Sequence, residues 1–202
     1  MTESYNGSAW TDTGNDMNTA RFGGASGGGP GGQTASVLGG GYTTTYVSNT
    51  ETYDGSTWSE VNNMNTAKTY MGWASGSPST DAIAFGGEPP GAGFTDETEK
   101  WDGTSWTEVA DLNTDRREPG GFGTSSSTAF CVSGNAPPRV TNVESFDGTS
   151  WTEVADVATA RLVAACAGSP AAALACGGSA PPSVNTVEEW TLANATKTFT
   201  AS

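Results

Sequence analysis

Glu99-Lys100-Trp101-Asp102-Gly103-Thr104-Ser105-Trp106 is the stretch that decides the fold. An aromatic residue and a tryptophan flank an Asp-Gly pair, a strong hairpin signal, because a two-residue type I′ turn wants positive φ at both central positions. The pattern returns as Glu51-Thr52-Tyr53-Asp54-Gly55 before Trp58, and as Glu144-Ser145-Phe146-Asp147-Gly148 before Trp151. An N-terminal copy reads Glu3-Ser4-Tyr5-Asn6-Gly7 before Trp10, and Glu188-Glu189-Trp190 opens a truncated fifth. Successive tryptophans of this pattern lie 48, 48 and 45 residues apart.

Two further markers keep the same order. A basic residue follows each tryptophan by 10 or 11 positions: Arg21, Lys68, Arg116 and Arg161, preceded by Asn18-Thr19-Ala20, Asn65-Thr66-Ala67, Asn113-Thr114-Asp115 and Ala158-Thr159-Ala160. Then comes a short apolar run ending in small residues: Ala35 to Gly40, Ala82 to Gly87, Ala129 to Gly134 and Ala173 to Gly178. Self-similarity at this period marks a repeat architecture, each repeat one supersecondary unit stacked on its neighbours. The expected unit has four antiparallel strands. The first starts at the basic residue, the second is the apolar run, the third leads into the aromatic residue and the fourth carries the tryptophan. Glycine and threonine are too dense for a helix, and no helical period shows.

An apolar run, a double glycine, an aromatic residue and a spaced tryptophan, in this order and at this length, resemble the kelch motif of β-propellers. The resemblance covers about residues 3 to 190. It departs from the usual form in its short aromatic-to-tryptophan spacing and in Ser133-Gly134 standing for a glycine pair. The near-identical units are most similar to kelch-like repeats in virion structural and tail-fibre proteins of marine bacteriophages. The resemblance implies an all-β, four-bladed kelch-like propeller with four antiparallel strands per blade, one domain over 1–202. Its repeats run at about 17–62, 64–110, 112–155 and 157–190, with 1–11 as a final piece and 192–202 as a C-terminal tail. The N-terminal strand is expected to complete the last blade. Closure by strand exchange between copies is the alternative, since Glu3–Tyr5 and Glu188–Trp190 compete for one third-strand position.

Composition narrows the function. Net charge is −14, from 8 Lys and Arg against 22 Asp and Glu. Phosphate backbones and anionic lipids need clustered cations, so nucleic acid and membrane surfaces are not expected partners. No apolar run is long enough to span a bilayer, and Met1-Thr2-Glu3-Ser4 does not open a secretory signal. The chain contains no histidine, which removes the commonest general base and metal ligand. Cys131, Cys166 and Cys176 are too far apart for a thiolate zinc site. They read as buried thiols, with a Cys166–Cys176 bridge open if adjacent strands place them opposite one another. The glycine run Gly27 to Gly32 lacks a following helix and reads as a flexible loop, not a phosphate cradle.

No enzyme activity, no cofactor and no metal are therefore expected. Four of the eight basic residues occupy one repeat position, and the expected partners of Arg21, Lys68, Arg116 and Arg161 are the repeat carboxylates Glu51, Glu99, Glu144 and Glu188. Loops that vary between repeats are better placed to bind. Those after the glycine pair carry Tyr42, Tyr46, Phe94 and Arg139, side chains able to stack on sugar or dock on protein. The expected function is a non-enzymatic phage virion structural protein, a tail fibre, appendage or decoration module made in the host cytoplasm. Its expected partners are other virion proteins, a host-surface glycan or protein, or a second copy of itself. A soluble or secreted lectin-like module and a kelch-type adaptor are the alternatives.

Overall fold

The computed structural model describes residues 1–28, 33–74, 76–91, 93–180, 183 and 185–191, so the expected tail at 192–202 and residues 29–32 of the glycine run lie outside the described residues. The described chain is all-β and organised as small antiparallel sheets, which fits the β-propeller-like class. A hairpin comes first, β1 (Glu3–Tyr5) with β2 (Trp10–Asp12). Three four-stranded meanders follow. The first holds β3 (Ala25–Gly27), β4 (Ser36–Gly39), β5 (Thr50–Tyr53) and β6 (Trp58–Val61). The second holds β7 (Gly72–Trp73), β8 (Ala82–Phe85), β9 (Thr98–Trp101) and β10 (Trp106–Val109). The third holds β11 (Gly120–Ser125), β12 (Thr128–Val132), β13 (Val143–Phe146) and β14 (Trp151–Glu153). Among the described residues the last sheet has three strands: β15 (Ala165–Ser169), β16 (Ala172–Cys176) and β17 (Val187–Thr191).

Alternation along the second strand of each sheet decides which sheets touch. Ile83 and Phe85 point forward and meet Ala129 and Cys131 of the next sheet, with Phe146 and Trp151 closing the seam. One sheet on, Phe130 and Val132 meet Ala173 and Ala175. Small residues on the backward face let a bulky forward face approach. Two of the seams also carry a tryptophan hydrogen bond. Trp106 Nε1 donates to Thr50 Oγ1 at 2.9 Å, and Trp151 Nε1 to Thr98 Oγ1 at 3.1 Å. Val143 and Val187 hold the equivalent position in the last two sheets, after which no further tryptophan of this register follows in the sequence.

Four sequence expectations change. The N-terminal strand does not complete the last sheet: β2 pairs with β1, and β17 already holds the third position beside β16. The hairpin stays intact because it seats on the first full sheet, where Trp58 Nε1 donates to Thr2 Oγ1 at 2.9 Å and Gln33 Nε2 to the Tyr5 carbonyl. The first strands start four residues after the basic residue, not at it, because Gly23, Tyr70, Glu118 and Val163 turn the chain with φ of 70°, 55°, 55° and 46°. In the first repeat the structural glycine pair is Gly40-Gly41, at φ 64° and 113°, matching Gly86-Gly87 at 62° and 113°. A run of three glycines hid that one-residue offset from the sequence pattern.

The Asp-Gly turns differ as well. Tyr53 pairs with Trp58, so four residues form the loop, and only the glycine has positive φ. Asp54 Oδ1 accepts from the backbone N–H of Ser56 and of Thr57, both at 2.8 Å, and these bonds hold its carboxyl down at about 2. This is an Asx-type turn in which the carboxylate, not a left-handed aspartate, organises the loop. Asp102, Asp147 and Asn6 do the same in the other copies.

Candidate binding face

Three of the four repeat carboxylates, Glu51, Glu99 and Glu144, are buried, and Glu188 is partly exposed. Glu144 accepts from the Asn113 N–H at 2.7 Å and its amide at 2.8 Å through Oε2, while Oε1 takes the Arg116 guanidinium at 2.5 Å. Arg116 spends its other donors on the carbonyls of Thr114, Ser133 and Asn142. Each Asn-Thr connector thus clamps its own sheet onto one carboxylate. Arg21 sits 3.1 Å from Glu51, Lys68 sits 3.3 Å from Glu99, and Arg161 pairs with Glu188. In the first repeat the fit is poorer. Arg21 Nε and Nη1 have no hydrogen-bond partner among the described residues, and burial lowers the pKa of this guanidinium against the pull of Glu51 and Glu60. Carboxylates held this way are structural groups, not free acids or bases facing a cleft.

Cys166 and Cys176 do not face one another. Cys166 pairs with Ala175 and Cys176 with Ala165, so the two thiols lie on opposite faces of the last sheet, and all three cysteines are free. Burial pushes the Cys131 and Cys166 thiols up to about 12. Among the described residues no group of three or more Cys, Asp and Glu side chains is gathered to hold a metal ion.

Chemistry with free valence lies at the loop ends. The segment after each basic residue bridges to the segment after the glycine pair, as Phe22 to Tyr42, Thr69 to Glu88, Arg117 to Asn135 and Leu162 to Ser179. Two loop sets therefore share one face. Tyr42 and Tyr46 meet edge to face at 5.2 Å, and Phe22 lies 5.5 Å from Tyr42 and 6.1 Å from Tyr70. Tyr46 Oη donates to Glu88 Oε1 at 2.6 Å, which raises the phenol pKa, and Glu88 also takes the Arg117 guanidinium. The Arg117 Cζ stands 5.3 Å from the centre of the Phe94 ring. Arg139 bridges to Asn135 in the third loop, as Tyr46 does to Tyr42 in the first.

Three of the four expected contact residues, Tyr42, Tyr46 and Phe94, are therefore linked into one strip through Glu88 and Arg117. Arg139 joins through the backbone bridges from Asn135 to Arg117. Phe22, Tyr70, Glu88 and Arg117 were not among the expected residues. Their signal was available: the position after the repeat cation varies as Phe22, Thr69, Arg117 and Leu162, the kind of variation that singles out the other loops.

Beside this strip opens a cavity of about 420 Å³ lined by residues in or just before the first strands of the four main sheets, including Gly24, Trp73, Gly121 and Cys166. Tyr70, Glu118 and Val163 line it and carry left-handed backbone that costs non-glycine residues about 1–3 kcal/mol each. A backbone relay explains how that strain is held. Tyr70 N–H donates to the Gly23 carbonyl, Glu118 N–H to Tyr70 and Val163 N–H to Glu118, at 2.8, 2.8 and 2.9 Å. Neither a known family model nor any curated protein sequence matches this chain.

Proposed function

We propose that the protein is a non-enzymatic adhesion or assembly module of a virion, its four repeated sheets serving as kelch-like blades that hold a binding face rigid. The observation that carries this reading is the strip Tyr42–Tyr46–Glu88–Arg117–Phe94, where aromatic rings and a charged pair from different repeats meet in variable loops. Aromatic faces flanked by fixed polar groups suit the apolar face and hydroxyls of a sugar ring. The repeat carboxylates support the non-enzymatic half, since hydrogen bonds and cations already occupy them.

A lectin-like glycan-binding module outside any particle would use the same strip. A glycan array read with the wild-type protein and with Tyr46→Ala tests the face, and mass spectrometry of purified particles tests the location. Binding that falls at least about tenfold in Tyr46→Ala, the loss of roughly 1.4 kcal/mol, is the expected result. Equal glycan binding by both proteins, or none by either, would overturn the assignment of this strip.

A further inference from the structure

Among the described residues, the N-terminal hairpin and the last sheet present uncovered versions of surfaces that are buried elsewhere in the stack. Trp10 is 67% exposed, against 7% for Trp106 and 5% for Trp151 at the same repeat position. Its ring partner Tyr5, 5.2 Å away, is also exposed, whereas the matching Trp101 and Phe146 are buried. At the other end Val187 is 57% exposed and Leu174 43%, against 3% for Val143 and 5% for Phe130 one sheet earlier. Ala165, Ala167 and Cys176 fall on that same forward face by register.

Inside the molecule these two kinds of surface always meet. The forward face of one sheet, Phe130 with Val143, receives the backward face of the next, where Trp190 lies 5.2 Å from Phe130. The forward face of the last sheet and the Tyr5–Trp10 face of the hairpin are the two halves of one more such seam. Within one chain this seam stays open, since Trp10, Leu174 and Val187 are all exposed while the hairpin is seated on the first full sheet.

We infer that the last sheet of one copy docks on the N-terminal hairpin of a second copy, head to tail, repeating the internal stacking between chains. Such an interface joins two different patches, so it builds rings or filaments and not symmetric dimers. Val187 offers Trp10 apolar contact but no hydroxyl, so this seam lacks the Trp-to-Thr hydrogen bond of two internal ones, and the association is weaker and reversible. The inference does not rest on the ligand face, which lies on the loops at the strand ends.

The test is mass in solution by light scattering over a concentration series, for wild type, Trp10→Ser and Leu174→Lys. Both altered residues are exposed in the single chain, and unchanged circular dichroism checks that each variant folds. Wild type should show concentration-dependent multiples of 20.5 kDa, and each variant alone should stay at 20.5 kDa. Mixing the variants should give a complex of twice that mass, because one keeps the sheet face and the other keeps the hairpin. Wild type that stays monomeric throughout, variants that still assemble alone, or a mixture that remains monomeric would each overturn the inference.

Discussion

Replacing Arg116 with methionine probes what holds each sheet to its connector. The guanidinium is fully buried and makes four kinds of bond, to the carbonyls of Thr114, Ser133 and Asn142 and to Glu144. Methionine fills most of the volume but leaves buried Glu144 without its cation and the Thr114 and Ser133 carbonyls without a donor, while the Asn142 carbonyl keeps the Ser133 N–H. Removing one partner of a buried pair costs about 3–5 kcal/mol. For a protein of this size each kcal/mol lowers the melting point by about 2–4 °C, so the fall should be about 6–20 °C.

Thermal unfolding followed by tryptophan fluorescence is a suitable assay, since Trp151 belongs to the same sheet. A second variant separates charge from packing. In Arg116→Met with Glu144→Gln the buried charge is gone, while the glutamine carbonyl can still accept from Asn113. About half of the lost stability should return. A single variant that melts at the wild-type temperature, or a double variant no more stable than the single, would refute the argument. The same substitution should cost less at Arg21, whose Nε and Nη1 bond nothing among the described residues, and at Arg161, whose partner Glu188 is partly exposed.

Two further outcomes follow from the backbone and the thiols. Val163→Gly removes a β-branched residue from left-handed backbone at φ 46°, a relief of about 1–2 kcal/mol less about 0.4–1 for the freer unfolded chain, so its melting point should rise slightly; a fall would show that the Val163 side chain contributes packing instead. With thiols pushed up to about 12 by burial, Cys131 and Cys166 should resist iodoacetamide at about pH 8 until the protein unfolds, because the thiolate is the nucleophile. Peptide mapping should find no Cys166–Cys176 bridge, and labelling of native Cys131 or recovery of that bridge would contradict the strand register.

The repeat was legible because the residues that set it act locally. Asp-Gly before tryptophan marks a turn in any context, and a cation in every repeat asks for an anion in every repeat. The strand edges were not legible for a related reason. Which residue after the cation turns left-handed depends on the relay from the preceding sheet, and Tyr70, Glu118 and Val163 carry no composition signal for positive φ. The glycine pair of the first repeat was displaced by one because Gly39, Gly40 and Gly41 look alike until φ distinguishes them. The turn type is not legible from Asp-Gly alone, which serves both a two-residue and a four-residue loop. The aromatic strip was half legible. Tyr42, Tyr46 and Phe94 stood out as variable loop residues, while Glu88 and Arg117, which connect them, come from different repeats and meet only when the sheets stack.

That division also explains why the ends of the stack hold information. In an array where each unit touches only its neighbours, a buried position in the middle and its exposed counterpart at the end share one sequence rule and differ only in what covers them. Trp106 and Trp151 are kept by their burial and their hydrogen bonds to Thr50 and Thr98. Trp10 has no such cover, yet it retains the same side chain in the same register beside an aromatic partner. The last sheet likewise retains Leu174 and Val187 where Phe130 and Val143 are buried one sheet earlier. The seam inferred between copies would give all four the environment their counterparts already have.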